Sequence, residues 1–227
     1  MGNQFGQSLT VVDTATGMVA ATVPAGRFPS AIAFAPDGAH AYVADNHAGL
    51  TGIDVYDTAT RTITATIHTD YTVSQLVASP DGKHLYTGMG DVLVIDTATD
   101  TITASLPTDD RRNIAGLALS PDGTRIYAAK VDTGTLCVLD LATNTLAAVV
   151  PIVRYVGQVA LSPDGAHAYV TSSGAGVSVV DTATATVVAA IPVAGGRWRW
   201  PPTPTATTST SVRPGAGWPW STPGPTP

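Results

Sequence analysis

The sequence contains little charge, few aromatic residues and a single cysteine. Charged residues make up 12% of the 227 positions and aromatic residues 6%, whereas about a quarter of an average domain is charged. The lone Cys137 excludes an internal disulfide and a cysteine-rich metal site. The net charge of −6 disfavours non-specific binding to nucleic acid, because that needs clustered lysine and arginine.

Long apolar runs and targeting signals are also absent. No stretch approaches the roughly 18 apolar residues of a membrane-spanning helix, so we expect no membrane span. The first six residues have neither the basic nor the apolar part of a signal peptide. The composition alone leaves the compartment open.

The residues that are abundant favour β structure. Apolar residues reach 44%, enough for a sizeable core, and 22 glycines and 17 prolines supply many turns. Since charge is scarce, the polar surface consists mainly of threonine, serine and asparagine, which is common in β-rich proteins. The chain is long enough for one large β domain or two small ones.

Two motifs recur along the chain with a period near 42 residues. Pro-Asp-Gly occurs at 36–38, 80–82, 121–123 and 163–165, and its aspartates are 44, 41 and 42 residues apart. Asp-Thr-Ala-Thr begins at Asp13, Asp57, Asp96 and Asp181, with the variant Asp-Leu-Ala-Thr at Asp140. Interleaved motifs at this period predict one four-stranded propeller blade per repeat.

Each repeat divides into four short segments, which we name strands a, b, c and d. Strand a precedes Pro-Asp-Gly (31–35, 75–79, 116–120 and 158–162), and strand b centres on Tyr42, Tyr86, Tyr127 or Tyr169. Strand c places Val11, Val55, Val94, Val138 or Val179 two residues before the motif aspartate. Strand d is rich in Thr, Val and Ala, and no helical period competes with this pattern.

The repeated aspartates are predicted to form turns. In Pro-Asp-Gly, proline fixes φ, aspartate bonds local backbone and glycine takes positive φ, which closes the a–b hairpin. In Asp-Thr-Ala-Thr, the carboxylate accepts from backbone N–H groups of the c–d hairpin. A catalytic carboxylate would occur once rather than in every repeat. We therefore assign to turns Asp37, Asp81, Asp122 and Asp164, and Asp13, Asp57, Asp96, Asp140 and Asp181.

These units resemble the YVTN-type β-propeller repeat family, which is related to the WD40-like propellers. The resemblance covers roughly residues 7–195 and rests on Pro-Asp-Gly, the segments 42–46 and 169–172, and Val-x-Asp-Thr-Ala-Thr. The segments 86–88 and 127–129 keep only the tyrosine. The resemblance implies a propeller, often in secreted or cell-surface proteins of prokaryotes, and it implies no single activity.

The predicted fold is an all-β propeller of four-stranded antiparallel blades. We expect a half blade at 7–24, with strands c and d only, and four full blades at about 25–68, 69–107, 108–150 and 151–194. An incomplete or open ring would leave strand edges available for self-association.

Residues 196–227 form a separate segment rich in Pro, Thr and Trp, and they include all four tryptophans. One hypothesis is a shifted reading frame. If the segment from Arg197 onward is back-translated with G/C-rich codons and read two nucleotides later, Trp-Arg-Trp-Pro-Pro-Thr permits Val-Ala-Val-Ala-Pro-Asp, the expected ending of a further strand a. The other hypothesis is a disordered Pro/Thr linker.

A candidate ligand site lies where the chain enters each strand a. The a–b spacing is constant, but the distance from tyrosine to the next motif aspartate varies as 15, 10, 13 and 12 residues. The b–c loops, on the same face as the d–a loops, therefore carry the variation, and binding residues favour such loops. Two positions at the entry to strand a carry the unusual side chains. The position nine residues before each motif proline holds Arg27, Tyr71, Arg112 or Arg154, and the next position holds Phe28, Thr72, Asn113 or Tyr155.

Because strand a lines the channel of a propeller, we expect these side chains to encircle its mouth. The candidate binding set is Arg27, Tyr71, Arg112, Arg154, Phe28 and Tyr155. Forked arginine hydrogen bonds suit a carboxylate, a phosphate or an acidic peptide. The competing interpretation is a solvated loop surface with ordinary ion pairs.

Other candidates are weaker. His40, His84 and His167 repeat at one blade position, too far apart for a shared zinc ion, and Cys137 occupies a mixed strand position. We find no nucleophile elbow, phosphate loop or nucleotide fingerprint, and we predict neither metal nor cofactor.

The leading functional hypothesis is a non-enzymatic binding or scaffold module for a protein, peptide or small anion. The first alternative is a fragment of a propeller enzyme resembling lactonases or quinoprotein dehydrogenases. The second is a nucleic-acid-binding propeller, which the acidic net charge disfavours.

Overall fold

A computed structural model describes residues 2–3, 7–26, 28–47, 50–88, 90–110, 113–173 and 175–193. These residues form 19 strands in five antiparallel sheets, with no helix in the described ranges. The predicted all-β fold with four-stranded blades is confirmed. The described residues include no helix with the length and apolar character needed to cross a membrane. The tail at 196–227 lies outside the described residues.

An N-terminal sheet comes first, followed by four blades in chain order. The N-terminal sheet contains β1 (Gly2–Asn3), β2 (Ser8–Val12) and β3 (Val19–Pro24). Blade 1 contains β4 (Pro29–Phe34), β5 (His40–His47), β6 (Leu50–Asp57) and β7 (Thr62–His68). Blade 2 contains β8 (Leu76–Ala78), β9 (His84–Gly88), β10 (Val92–Asp96) and β11 (Thr101–Leu106). Blade 3 contains β12 (Ile114–Leu119), β13 (Arg125–Lys130), β14 (Thr135–Asp140) and β15 (Thr145–Pro151). Blade 4 contains β16 (Val156–Leu161), β17 (His167–Ser172), β18 (Gly176–Asp181) and β19 (Thr186–Ile191).

Each blade is a four-stranded meander in the predicted order a, b, c, d. The N-terminal sheet differs from the expected pair of strands c and d, because the short β1 pairs with β2 through Gly2 and Asn3. Two residues are too few to show a strand pattern in the sequence, so β1 was not predicted.

The blades pack face to face in chain order through their a strands, β4 against β8, β8 against β12 and β12 against β16. Within the described ranges, no comparable packing joins blade 4 to the N-terminal sheet, so the ring is open there. Accordingly Ile191 on β19 is 45% exposed, whereas its counterpart Ile67 in blade 1 is 3% exposed.

The core consists of apolar layers between successive blades. Between blades 1 and 2, Tyr42 and Val55 pack with Leu85 and Ile95. Equivalent layers lie between blades 2 and 3, and between blades 3 and 4. Strand side chains alternate between the two faces of a sheet. In blade 1, Tyr42 and Val55 therefore face the following blade, and in blade 2, Leu85 and Ile95 face the preceding one. Every inner blade is therefore apolar on both faces.

The a–b turns follow the chemistry that the Pro-Asp-Gly motif predicts. The glycines have φ between 71° and 73°, and each aspartate Oδ1 accepts from the backbone N–H two residues later. In blades 2 to 4 a serine precedes the proline, and its hydroxyl donates to the same carboxylate at 2.5 Å. Blade 1 has Ala35 at that position.

The c–d turns are closed by the second motif. In each sheet the motif aspartate accepts from the N–H three residues later at 2.7–2.9 Å. The fifth turn residue has positive φ in every sheet, at Gly17, Arg61, Asp100, Asn144 and Ala185. This left-handed residue was not predicted, because four of the five have a side chain.

The motif threonine joins the two turns within a blade. The Thr58 hydroxyl donates to the carbonyl oxygen of Gly38, Thr97 to Gly82 and Thr182 to Gly165, each at 2.6 Å. Blade 3 has Leu141 instead, and only the backbone bond from Leu141 N to Thr124 O remains. Both hairpins of a blade are thus fastened to each other on one side of the molecule, here called the lower face.

The repeated histidines face the motif aspartates across strands b and c. His40 pairs with Asp57, His84 with Asp96 and His167 with Asp181, and Arg125 takes this position opposite Asp140. Directly paired residues have neighbouring side chains on one face of a sheet. Each blade therefore places a histidine or an arginine beside the aspartate of its c–d turn.

We predict that stability falls in mild acid because of the turn carboxylates. Hydrogen bonds to the carboxylates lower the pKa of Asp13, Asp57, Asp81, Asp96, Asp122, Asp140, Asp164 and Asp181 below 3.8. A carboxylate with a lowered folded pKa stabilises above its unfolded value, and this contribution disappears as pH falls through the folded value. Burial raises the pKa of Asp54 and Asp100, which opposes the trend at two sites. The urea midpoint should therefore decrease between about pH 5 and about pH 3.

The variant Asp96→Asn is the control for this prediction. It keeps the side-chain oxygen that accepts from Ala98 and Thr99 but cannot lose charge. Its decrease in urea midpoint over the same pH range should be smaller. A midpoint independent of pH in the wild type would contradict the prediction.

Candidate functional site

The candidate site lies on the face opposite the fastened hairpins, here called the upper face. The b–c and d–a connections of every blade lie there, because strands a and c run towards the lower face and strands b and d run away from it. The entry to each strand a therefore belongs to this face, as the sequence predicted.

Four of the six predicted binding residues lie in the described part of the chain, and all four are exposed on the upper face. Phe28 is 41% exposed, Tyr71 58% and Tyr155 63%, and Arg154 is also exposed. Arg27 and Arg112 lie outside the described residues. The predicted convergence of three arginines therefore stays a prediction.

Tyr155 has an unfavourable backbone conformation. Its φ is 62°, a left-handed value that costs a residue with a Cβ about 1–2 kcal/mol. Its carbonyl oxygen accepts from Ser173 N at 3.0 Å, which ties it to the following b–c loop. A bulky side chain held exposed at such a position is the kind of outlier that points to a function.

The upper-face loops are held by hydrogen bonds to side chains from strand b. Asp45 Oδ1 accepts from Phe28 N at 2.9 Å. The Asn46 side chain accepts from Val73 N at 2.8 Å and donates to Val73 O at 2.7 Å. Asn46 therefore joins the b–c loop of blade 1 to the entry of blade 2. The exposed rings stand on loops that are fixed to the sheets.

Lys130 is a buried cation that was not recognised in the sequence. It ends strand b of blade 3 and is 0% exposed. Its Nζ pairs with Asp110 Oδ1 at 3.1 Å and donates to the Gly90 carbonyl at 3.0 Å and to Thr108 Oγ1 at 2.9 Å. One side chain thus fastens the b–c loop of blade 2 and the loop that leads into blade 3.

Asp109 completes this network on the strand side. Its carboxylate accepts from Thr135 Oγ1 at 3.1 Å and from the Cys137 thiol at 3.3 Å. Burial raises the pKa of Cys137 to about 11, so the thiol is protonated at neutral pH and is a poor nucleophile. Cys137 therefore has a structural role, as expected from its strand position.

A buried carboxylate lies in blade 1. Asp54 is 8% exposed and accepts from Thr66 Oγ1 at 2.8 Å, and burial raises its pKa. Desolvation also raises the pKa of the nearby Tyr56 to about 12. Among the described residues, no group of three His, Cys, Asp or Glu side chains is placed to hold a metal ion.

Comparison with known proteins identifies the architecture. No family model matches the chain, and no curated protein matches it. Among solved structures, 1435 chains match, one of them the Kuenenia stuttgartiensis hydrazine synthase, with a TM-score of 0.73 and 25% identity. The fold is a β-propeller. The match covers 84% of this chain and 61% of that chain, so this chain spans less than two thirds of that neighbour's length. The YVTN resemblance stays an interpretation of the motifs.

We predict that Lys130→Met destabilises the protein by about 3 kcal/mol. Methionine fills a similar volume but removes the ion pair to Asp110 and one of the two side-chain donors to the Gly90 carbonyl, the other being the Thr108 hydroxyl. Removing one partner of a buried pair typically costs about 3–5 kcal/mol, and Asp110 is 27% exposed, which places the loss at the low end. Urea denaturation measures it, with the exposed Lys83→Met as the matched control. Equal losses for the two variants would contradict a structural role for Lys130.

We predict that Tyr155→Asn stabilises the protein by about 1 kcal/mol. Asparagine tolerates the left-handed conformation that Tyr155 adopts. The exposed ring contributes little packing within the described chain, so its removal should not offset this gain. Thermal or urea unfolding of the two proteins checks the difference. An unchanged or lower stability of the variant would show that the backbone strain is absent or that the ring packs.

Proposed function

We propose that this chain is a non-enzymatic binding module that uses its upper face to hold an acidic peptide, an acidic protein segment or a small anion. The single observation that carries the proposal is Tyr155, which is 63% exposed although its φ is 62°. A position that costs stability and presents an aromatic ring to solvent is best explained by contact with a partner.

Charge at the strand entries supports an anionic partner. Arg154 precedes Tyr155 and is exposed, and by sequence Arg27 and Arg112 occupy the same repeat position in two other blades. A guanidinium group offers forked donors to carboxylate and phosphate, and a neighbouring aromatic ring adds apolar contact area.

The rigidity of the loops also supports binding. Asp45, Asn46 and Lys130 each fasten an upper-face loop through side-chain hydrogen bonds. A preorganised surface loses less conformational entropy when a partner binds. The lower face, in contrast, closes both hairpins with the same two motif aspartates in every blade.

The test is binding of fluorescently labelled hexaglutamate, followed by fluorescence polarisation. We expect Arg154→Ala to weaken binding about tenfold or more, since a hydrogen bond to a charged group contributes about 1.5–3 kcal/mol. The triple variant Arg27→Ala/Arg112→Ala/Arg154→Ala should abolish it. Tyr155→Asn should weaken binding even though it stabilises the fold. Lys83→Ala on the lower face is the matched control and should bind like the wild type.

Three results would overturn the proposal. The first is equal binding of hexaglutamate by the triple variant and the wild type. The second is that the wild type binds neither hexaglutamate nor pyrophosphate. The third is that single-stranded DNA binds more tightly than hexaglutamate and with a steep dependence on salt, which would favour a nucleic-acid-binding propeller.

A second candidate function is a propeller unit within an enzyme. The observation that favours it is the structural likeness to a hydrazine synthase, whose chain is longer than the matched region. Because 1435 chains of known structure resemble this one, the likeness to one of them does not select one activity. Turnover of a lactone or an amine by the purified chain would support this candidate over the binding module.

A further inference from the structure

A cleft of about 290 Å³ opens on the upper face between blades 1 and 2. One wall is the loop that leads into blade 2, with Tyr71 and Thr72, and the other is blade 2 itself, with Thr87, Asp91, Leu93 and Ser105. Thr87, Leu93 and Ser105 are directly paired across strands β9, β10 and β11. Their side chains therefore form one row on the sheet face that looks towards blade 1.

Thr87 is the unusual member of this row. It is 1% exposed, and its Oγ1 has no hydrogen-bond partner within the described chain. Val43, Ala128 and Val170 take the equivalent place after the strand-b tyrosine in the other blades. A buried hydroxyl without a partner costs free energy, and valine would avoid that cost at this position. The hydroxyl thus marks the cleft as a place for a polar ligand.

Loop length explains why the cleft is present at this junction. Seven residues, 107–113, connect blade 2 to blade 3 between the buried Leu106 and Ile114. Only five residues, 68–72, connect blade 1 to blade 2 between the buried Ile67 and Val73. The longer loop places Asp109 against Thr135 and Cys137, which are the counterparts of Asp91 and Leu93. At the junction of blades 1 and 2 the shorter loop leaves that space open.

We propose that this cleft binds a neutral saccharide, of one or two sugar rings. Thr87 and Ser105 offer hydroxyls that both donate and accept, and the Asp91 carboxylate is a strong acceptor that also receives Thr108 N at 3.2 Å. The Tyr71 ring, 58% exposed at the mouth, offers an apolar face for the C–H side of a pyranose ring. Leu93 provides apolar contact deeper in the cleft.

Charge and size define this ligand class. Among the described residues, the lining contains a carboxylate and no lysine, arginine or histidine, so an anion would be repelled by this part of the cleft. The volume lies just below the roughly 300–1,000 Å³ of sites for drug-sized ligands, which suits a small ligand. The inference goes beyond the proposed function: it shares the upper face and Tyr71 with that proposal, but it depends on different polar groups and does not involve the arginines.

The experiment is a titration with glucose, galactose and maltose, followed by saturation-transfer difference NMR. We expect saturable binding of at least one sugar, with the strongest transfer to the ring C–H groups. Thr87→Val should weaken that binding at least tenfold while the unfolding midpoint stays the same or rises, because valine occupies this place in blade 4. Tyr71→Leu should also weaken it. Thr22→Val, an exposed threonine of β3, is the matched control and should not change it.

Arg154→Ala separates this inference from the proposed function. It should bind sugar like the wild type and bind hexaglutamate about tenfold or more weakly, whereas Thr87→Val should bind hexaglutamate like the wild type and sugar more weakly. The inference is overturned if no sugar binds, if Thr87→Val binds the sugars as tightly as the wild type, or if tetramethylammonium occupies the cleft more tightly than any sugar. Loss of hexaglutamate binding alone would count only against the proposed function.

Discussion

The structure depends on one packing constraint: each inner blade is apolar on both faces, and only a neighbouring blade can cover a face. Tyr42 and Val55 of blade 1 are buried because Leu85 and Ile95 of blade 2 lie against them. The same residues recur about every 42 positions, so every blade fits its neighbour in the same way. A single blade would leave these side chains in water, and the array is therefore stable only as a stack.

This constraint explains why the lower face is uniform. The hairpins there must hold the four strands at a fixed register, since a slip of one residue would turn the apolar side chains to the wrong face. Pro-Asp-Gly, Asp-Thr-Ala-Thr and the hydrogen bond from Thr58 to Gly38 fix that register. The turn aspartates are thus tied to architecture, and the variation between blades is left to the upper-face loops.

The blade pattern was accessible from the sequence because its causes are local. Turn chemistry and alternation operate over a few residues, and Val55, Val94, Val138 and Val179 are all buried where their spacing placed them. The contacts of Lys130 were not accessible, because its partners Gly90 and Thr108 lie far from it in sequence, in the b–c loop of blade 2 and in the connection between blades 2 and 3. The positive φ of Tyr155 was also missed, because tyrosine is not a residue type that indicates the left-handed region in a sequence. The exposure of Tyr71 was predictable because the residue lies in a d–a loop. The cleft beside Tyr71 was not predictable, because it depends on how two blades pack.

Departures from the repeat are where specific chemistry is found. A repeat position is filled by whatever packs best, so a residue that breaks the pattern at a cost in stability needs another reason to be there. Thr87 replaces an apolar residue and leaves its hydroxyl without a partner in the described chain. Tyr155 has a positive φ that its counterparts Phe28, Thr72 and Asn113 do not have. Lys130 also breaks the pattern, but its hydrogen bonds and its ion pair with Asp110 account for it within the fold. Because no internal partner accounts for Thr87 and Tyr155, a ligand is the simpler explanation for these two and not for Lys130.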